Sequence, residues 1–288
     1  MFPANFGYVA AKSVDEAIAL LAKHGEGAKL LAGGHSLLPA MKLRLTTPGT
    51  LIDLGKVPGL SGVRVDDNTL VIGALTVHAD VATSDLVRKY MPGLADAVAV
   101  IGDMQVRNRG TIGGSVAHAD PNADFPVILT ALNASFVAQS SSGSRSITAD
   151  DFFTDFYTTA MTANEILTEI RIPLPPAGSG TAYVKLPHPA SGYAVVSAGA
   201  LIVRQVSGAC ASARVALGGL GSGPIRARAT EAALQGKPLT PEAIAAAAAK
   251  AAENTDPMDD PYADAEYKRH MAAVYARRAI EAAVKRAV

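Results

Sequence analysis

Cysteine is almost missing from this sequence: Cys210 is the one such residue among 288. A single cysteine excludes a disulfide within the chain, and it cannot supply the ligand set of an iron–sulfur cluster or of a cysteine-based zinc site. The simplest expectation is a reducing, cytoplasmic setting.

Net charge and long apolar runs are missing as well. The 26 basic and 26 acidic residues balance to a formal net charge of zero, so electrostatics favours neither nucleic acid nor an anionic membrane as a partner. No stretch reaches the roughly eighteen apolar residues of a membrane span. The N-terminus has no basic region followed by an apolar core, so we expect no secretion signal.

The usual catalytic constellations are also absent. No serine has a paired histidine at a recognisable spacing, which argues against a hydrolase. His118 and Asp120 could be taken for a metal pair, but two residues at i and i+2 without a third ligand do not define a metal site. We interpret them as polar residues that tie down a loop, and we assign the chain no catalytic residue and no metal.

Three blocks follow one another along the chain, at residues 1–57, 58–176 and 177–288. The first two mix β-prone runs with helical segments, and one such helix is expected after Thr76, whose hydroxyl could cap it. Residues 173–180 contain three prolines and two glycines and form the clearest linker.

The third block has a different pattern. Three β-prone runs are followed by three helical segments, at residues 224–234, 241–253 and 262–286. Strands followed by helices are typical of an α+β domain. The sequence therefore predicts an α+β protein whose last domain combines a three-stranded sheet with helices.

Two glycine-paired loops are the most informative feature that is present. They consist of Ala32, Gly33, Gly34, His35 and Ser36, and of Thr111, Ile112, Gly113, Gly114 and Ser115. Each loop places two residues without a Cβ beside a small hydroxyl side chain, so backbone N–H groups can approach an anion closely. We interpret the loops as two halves of one cradle for a diphosphate.

Other interpretations of these loops are weaker. The sequence has neither the Gly-x-x-x-x-Gly-Lys-Ser/Thr pattern of a P-loop nor a Gly-x-Gly-x-x-Gly motif after its first strand, which argues against a nucleotide site of either type. A single Gly-Gly pair is often a simple turn, and Gly218-Gly219 at the end of an apolar run is an example. Two such pairs with polar endings favour a ligand.

Both loops belong to longer motifs. The segments AGGHSLLP at 32–39 and QVRNRGTIGGSVAHADP at 105–121 closely resemble the two FAD-binding motifs of the medium, flavin-carrying subunit of molybdenum hydroxylases. This is the family of aerobic carbon monoxide dehydrogenase and xanthine dehydrogenase. The resemblance covers essentially the whole chain, including YVKL at 183–186 and YAVV at 193–196. Met104 departs from it, because related chains often have proline there.

The resemblance implies a fold and a cofactor. Residues 1–57 and 58–176 would form a two-lobed FAD-binding fold of the vanillyl-alcohol oxidase (PCMH) type, and residues 177–288 a C-terminal flavoprotein domain. Further FAD contacts would come from Asp124, Leu167, Lys185 and Tyr193. From its position alone, Asp124 could equally be a negative charge that stabilises the N-terminus of a helix. We expect His35 to have a packing role or to lie beside the phosphates.

The resemblance also implies a function and partners. A large subunit with the molybdenum cofactor would hydroxylate the substrate, a small subunit would carry two [2Fe–2S] clusters, and FAD in this chain would deliver the electrons to an acceptor. The expected assembly is a dimer of heterotrimers, and its substrate is not readable from this chain. The alternatives are a self-contained FAD-dependent oxidoreductase of the same superfamily and a flavin-free scaffold subunit.

Overall fold

The computed structural model describes residues 2–287, which form four β-sheets and twelve α-helices. The strands are β1 (Gly7–Ala10), β2 (Ala28–Leu31), β3 (Thr50–Asp53), β4 (Val63–Asp66), β5 (Thr69–Gly73), β6 (Ser135–Ser140), β7 (Gly143–Thr148), β8 (Phe153–Asp155), β9 (Thr158–Thr159), β10 (Ile166–Pro173), β11 (Ser179–Pro187), β12 (Ala194–Arg204), β13 (Cys210–Gly218) and β14 (Ile225–Arg226). The helices are α1 (Val14–His24), α2 (Leu37–Lys42), α3 (His78–Thr83), α4 (Asp85–Tyr90), α5 (Pro92–Ala99), α6 (Met104–Arg107), α7 (Ile112–His118), α8 (Asp124–Ala131), α9 (Ala149–Phe152), α10 (Arg228–Leu234), α11 (Pro241–Ala248) and α12 (Ala265–Arg286). No helix within residues 2–287 has both the length and the apolar character needed to cross a bilayer.

The N-terminal sheet is parallel, with the strand order β1-β3-β2. Helix α1 begins after Ser13, which acts as its N-cap because its hydroxyl accepts a hydrogen bond from the N–H of Glu16 at 3.1 Å. It ends at Gly25, where φ is +56°. Strand β2 is followed directly by the first glycine loop.

The second sheet is antiparallel, with the order β4-β5-β10-β6-β7. The prediction that Thr76 caps the following helix is wrong: α3 begins at His78 with Val77 at its N-cap. Thr76 is buried, and its hydroxyl donates to the carbonyl of Gly73 at 2.7 Å and accepts from the N–H of Gly62 at 2.9 Å. The side chain therefore fastens the end of β5 and is not free to cap a helix.

The C-terminal sheet is antiparallel and has the order β11-β12-β13-β14, with α12 packed across β11 and β12. The prediction of three strands is incomplete, because residues 225–226 form a fourth short strand where we expected a helix from residue 224. Arg226 pairs with Ala216 in this strand, and its guanidinium is held by Glu231 at 2.7 Å. These contacts keep the segment extended, so α10 begins only at Arg228.

Helix α8 joins the second sheet to the C-terminal sheet. All eight of its residues are buried, because it packs against α5 on one side and against β12 and β13 on the other. An ionic contact strengthens the same interface: Asp150, on α9, accepts from Arg214 and Arg226 of the C-terminal sheet at 3.0 Å each. Asp124, the first residue of α8, therefore lies at a buried junction between the two parts.

Candidate cofactor-binding site

The two glycine loops lie in contact. A Cβ at Gly33 would lie 2.1 Å from the carbonyl oxygen of Arg109 and 2.8 Å from the Cα of Gly110, at the entrance to the second loop. A Cβ at Gly114 would lie 3.8 Å from the Cβ of Ala32. Glycine at position 33 is thus what allows the loops to touch, and the two segments form one continuous surface.

The first loop has a row of free donors. The backbone N–H groups of Gly33, Gly34, His35 and Ser36 have no acceptor within residues 2–287. Gly34 has a φ of +74°, and the His35 ring is tied to its own loop through Nδ1 and the carbonyl of Gly33 at 3.0 Å. Successive N–H groups at the end of a strand and the beginning of a helix form an anion-binding concavity.

The second loop uses its N–H groups inside the protein. Ile112 donates to the carbonyl of Thr76 at 3.0 Å, and Gly113 to the carbonyl of Ala74 at 2.8 Å. Thr111 caps α7, because its hydroxyl accepts from the N–H of Gly114 at 3.1 Å. A Cβ at Gly113 would lie 2.6 Å from the Ala74 carbonyl oxygen. Glycine is therefore needed here so that the second loop can pack closely against the segment that follows β5.

The structure therefore gives the two loops different roles, where the sequence suggested equivalent halves. The first loop presents unpaired N–H groups, and the second loop, which is bonded to Thr76 and Ala74, packs against it. The hydroxyls of Ser36 and Ser115 have no hydrogen-bond partner within the part of the chain that the structure describes. They can add side-chain hydrogen bonds to a ligand held at this surface.

Asp124 lies at the centre of a buried polar group between the second sheet and the C-terminal sheet. Tyr183 donates its hydroxyl to Oδ1 of Asp124 at 2.6 Å. The Lys185 ammonium lies 3.0 Å from Oδ1 and 3.1 Å from Oδ2. The Lys185 and Asp124 side chains are only 5% and 8% exposed, so the pair is largely shielded from water.

Burial raises the pKa of Asp124, and the charge of Lys185 and the hydrogen bond from Tyr183 oppose that rise. Burial also raises the pKa of the Tyr183 phenol well above its ordinary value, helped by the neighbouring Asp124. Tyr183 consequently remains protonated and keeps its hydrogen bond to the carboxylate. The ribityl or ribose contact predicted for Asp124 stays a prediction, since a carboxylate can accept further hydrogen bonds.

A cavity of about 520 Å³ opens beside this polar group. Its walls include Val100 after α5, Lys185 on β11, Gly192 before β12, and Tyr275 and Arg278 on α12. The Arg278 guanidinium lies 5.0 Å from the centre of the Tyr275 ring. The cavity thus combines apolar and aromatic walls with the Arg278 cation, while the Lys185 ammonium at its edge is paired with Asp124. Such a lining suits a planar ligand that carries negative charge.

Two further predicted residues lie on either side of this region. Tyr193 follows the cavity residue Gly192, and its side chain is 45% exposed. Partial burial and the nearby Asp120 raise the pKa of its hydroxyl. Leu167 is buried on β10, next to Thr168, whose carbonyl accepts from the N–H of Ala74 at 2.9 Å. Leu167 is therefore next to the residue that bonds to Ala74, and Ala74 in turn accepts a hydrogen bond from Gly113 of the second loop.

His118 and Asp120 have local partners. The His118 ring packs against Tyr157 at 5.2 Å, and Oδ1 of Asp120 accepts from the N–H of Asn122 at 2.9 Å. Within residues 2–287 no group of three His, Cys, Asp or Glu side chains is arranged to hold a metal ion.

Tyr183 is the residue that the sequence reasoning missed. It appeared only as a letter in the motif at 183–186 and received no role. Its position two residues before Lys185 on a predicted strand was the available signal, because residues i and i+2 project from the same face of a strand.

Comparison with known proteins agrees with this architecture. Residues 4–175 match the family model of the FAD binding domain in molybdopterin dehydrogenase, and residues 181–283 match the carbon monoxide dehydrogenase flavoprotein C-terminal domain. The carbon monoxide dehydrogenase medium chain of Hydrogenophaga pseudoflava is 44% identical over 284 residues, which cover 98% of each chain. The 6-hydroxypseudooxynicotine dehydrogenase complex subunit alpha of Paenarthrobacter nicotinovorans is 38% identical, with 100% of this chain and 97% of that subunit covered.

Solved structures give the same result. A structure of carbon monoxide dehydrogenase from Hydrogenophaga pseudoflava, which lacks the Mo-pyranopterin moiety of its molybdenum cofactor, matches with a TM-score of 0.96 at 45% identity and full coverage of both chains. Quinoline 2-oxidoreductase from Pseudomonas putida 86 matches with a TM-score of 0.93 at 33% identity over 99% of both chains.

This chain belongs to the FAD-binding medium subunits of the carbon monoxide dehydrogenase type within the molybdenum hydroxylases. The family assignment, the α+β fold with an FAD-binding domain and a C-terminal flavoprotein domain, and FAD as cofactor are thereby confirmed. The chain is accordingly a subunit of an oxidoreductase.

Proposed function

We propose that this chain is the flavin relay of a molybdenum hydroxylase, in which electrons from [2Fe–2S] clusters of a partner subunit pass through FAD to an external acceptor. The observation that carries this proposal is the row of four unpaired N–H groups from Gly33 to Ser36, fixed against the second loop. Neither glycine loop contains a lysine or arginine, so backbone donors are the natural partners of the FAD diphosphate. FAD supplies a carrier that accepts electrons from one centre and passes them to another.

The residues around the two loops and the cavity fit the rest of such a cofactor. In this proposal residues 32–36 and 111–115 hold the diphosphate, while Asp124, Leu167, Lys185 and Tyr193 border the ribityl chain and ring. Lys185 places positive charge at the cavity wall, where it favours electron density on a bound ring. We keep the division into residues 1–57, 58–176 and 177–288 as part of this proposal.

The proposed partners are a large subunit with the molybdenum cofactor and a small subunit with two [2Fe–2S] clusters, arranged as a dimer of heterotrimers. Support comes from the relatives, which are named medium chains or subunits of dehydrogenases. The single cysteine supports it too, because Cys210 is buried and cannot ligate a cluster alone. Relatives act on compounds as different as carbon monoxide, glyceraldehyde and caffeine by their names, so the substrate is not assigned from this chain.

The dependence on partners is directly testable. The purified chain, saturated with FAD, should fail to oxidise any substrate of the assembled complex, while its flavin should still be reduced by a strong chemical reductant. Adding the large and small subunits should restore substrate-dependent reduction of the flavin. Stopped-flow absorbance that separates the cluster and flavin bands is the measurement.

Two results would contradict the relay. Bleaching of the flavin by substrate in the isolated chain would identify a self-contained flavoenzyme. A purified chain that binds no FAD would identify a flavin-free scaffold.

Tyr193 gives a second test of where the ring lies. Tyr193→Ala should shift the visible spectrum or the reduction potential of bound FAD, because it removes an aromatic group beside the ring. The melting temperature should change little, since this side chain is 45% exposed. A large fall in melting temperature with an unchanged flavin spectrum would instead make Tyr193 a packing residue.

A further inference from the structure

Tyr183 is buried between the second sheet and the C-terminal sheet, where it also lines the cavity, and the sequence reasoning gave it no role. It is 4% exposed and lies on β11, and its hydroxyl donates to Oδ1 of Asp124 at 2.6 Å. Asp124 belongs to α8, which is far away in the sequence and packs on the other side of the junction. The hydrogen bond therefore joins two separate parts of the fold.

The same carboxylate is also bound by Lys185. Tyr183 and Lys185 are two residues apart on one strand, so their side chains project from the same face and reach the same acceptor. The Lys185 ammonium lies 3.0 and 3.1 Å from the two oxygens. Two donors from β11 thus define the position of one carboxylate, and that carboxylate in turn defines the position of the ammonium.

The surroundings of Tyr183 suit a permanent donor. Ser197 lies opposite Lys185 on β12, is fully buried, and its Oγ has no hydrogen-bond partner within residues 2–287. Burial raises the pKa of the Tyr183 phenol and keeps it neutral. The phenol therefore remains available as a hydrogen-bond donor to Asp124.

We propose that Tyr183 is a positioning residue: its hydroxyl fixes Asp124, and Asp124 holds the Lys185 ammonium at the cavity wall where the flavin of the proposed function lies. The inference rests on that proposed function. Tyr183 also lines the cavity, but in this inference its effect passes through its hydrogen bond to Asp124 and so through the two charged groups.

The role predicts a specific pattern in a double-mutant comparison. Tyr183→Phe keeps the ring and removes one hydrogen bond to a carboxylate, which should weaken FAD binding by the full-length chain roughly tenfold. It should shift the flavin reduction potential in the same direction as Lys185→Met, by a smaller amount. In the Lys185→Met background, Tyr183→Phe should produce no further shift, because its effect passes through the missing ammonium.

A control bond of the same kind exists on the N-terminal sheet. Tyr8 is 59% exposed on the N-terminal sheet and donates to Oδ2 of Asp53 at 2.5 Å, so Tyr8→Phe also removes a bond between a tyrosine and an aspartate. Its FAD affinity and potential should equal those of the unmodified chain. If Tyr183→Phe folds poorly, Asp124→Asn tests the same link, because it keeps the shape of the side chain and removes the charge that holds the Lys185 ammonium. It should change the FAD affinity or the flavin potential, whereas Tyr8→Phe should change neither.

The outcomes separate this inference from the function on which it rests. An unmodified chain that binds no FAD overturns both. FAD binding by the unmodified chain with an unchanged affinity and potential in Tyr183→Phe overturns the positioning role alone. The same holds if the shift caused by Tyr183→Phe is equally large with and without Lys185, since that result describes a residue acting only through packing.

Discussion

Replacing Gly33 with alanine should deprive the chain of its FAD. The added Cβ would lie 2.1 Å from the carbonyl oxygen of Arg109, a distance that no folded chain tolerates, so the first loop has to move away from the second. This movement displaces the row of free N–H groups from Gly33 to Ser36. Each hydrogen bond to a charged group is worth ~1.5–3 kcal/mol, so losing two of them should lower the FAD affinity roughly a hundredfold or more.

The control for this variant is Gly27→Ala. Gly27 precedes β2, and a Cβ there would meet nothing within 4 Å. Both variants carry the same chemical change, and only one of them affects the contact between the loops. Flavin content per chain after purification and titration with FAD provide the measurement, and equal FAD binding by both variants would refute the role of the first loop.

Lys185→Met should destabilise the folded chain severely. It leaves the carboxylate of Asp124, whose side chain is 8% exposed, without a counter-charge. Breaking a buried ion pair from one side costs ~3–5 kcal/mol. The comparison is Lys250→Met on the surface, where Lys250 and Glu253 are 50% and 49% exposed and the expected cost is ~0–1 kcal/mol. Urea denaturation of the two variants measures the difference.

The loss of folding stability caused by Lys185→Met should depend on pH in a defined direction. Burial already raises the folded-state pKa of Asp124 above its ordinary value, and the charge of Lys185 is the largest effect that opposes this rise. Without Lys185 the pKa rises further. A carboxyl with a raised folded pKa favours folding at low pH and loses that contribution as the pH rises through the folded pKa.

The destabilisation should therefore be smallest in acid and reach its full size toward neutral pH. Adding Asp124→Asn to Lys185→Met should recover most of the loss at neutral pH, because the double variant has no buried charge and Tyr183 can still donate to the amide oxygen. A loss that is independent of pH and remains in the double variant would show that Lys185 acts only through packing.

Much of the fold could be predicted from local sequence. The cap at Ser13 and the end at Gly25 define α1 through contacts among neighbouring residues. The apolar run at 125–132 largely coincides with the buried helix α8, which begins one residue earlier. The glycine pairs marked both loops, because a residue without a Cβ is required wherever two backbones come close. The motifs at 32–39 and 105–121 also carried the family resemblance, which the comparisons confirmed.

Elements that depend on contacts beyond their immediate neighbours were harder to predict from the sequence. Threonine is a residue type that often caps helices, but the Thr76 hydroxyl is already hydrogen-bonded to Gly62 and Gly73 at the end of a strand. Strand β14 contains two residues and is held by pairing with β13 and by the ion pair from Arg226 to Glu231. Neither outcome follows from the residues next to it in the chain.

The sequence by itself determined the family, the FAD-binding class and the two loops, since these depend on residue types in a fixed local order. Only the tertiary structure decided how the two loops differ. Long-range bonds to Thr76 and Ala74 occupy the N–H groups of Ile112 and Gly113, whereas those of residues 33–36 have no acceptor within residues 2–287. The tertiary structure also decided that Asp124 is held by Tyr183 and Lys185. A strand more than fifty residues away supplies both donors, and only the packing of α8 against the C-terminal sheet brings them to the carboxylate.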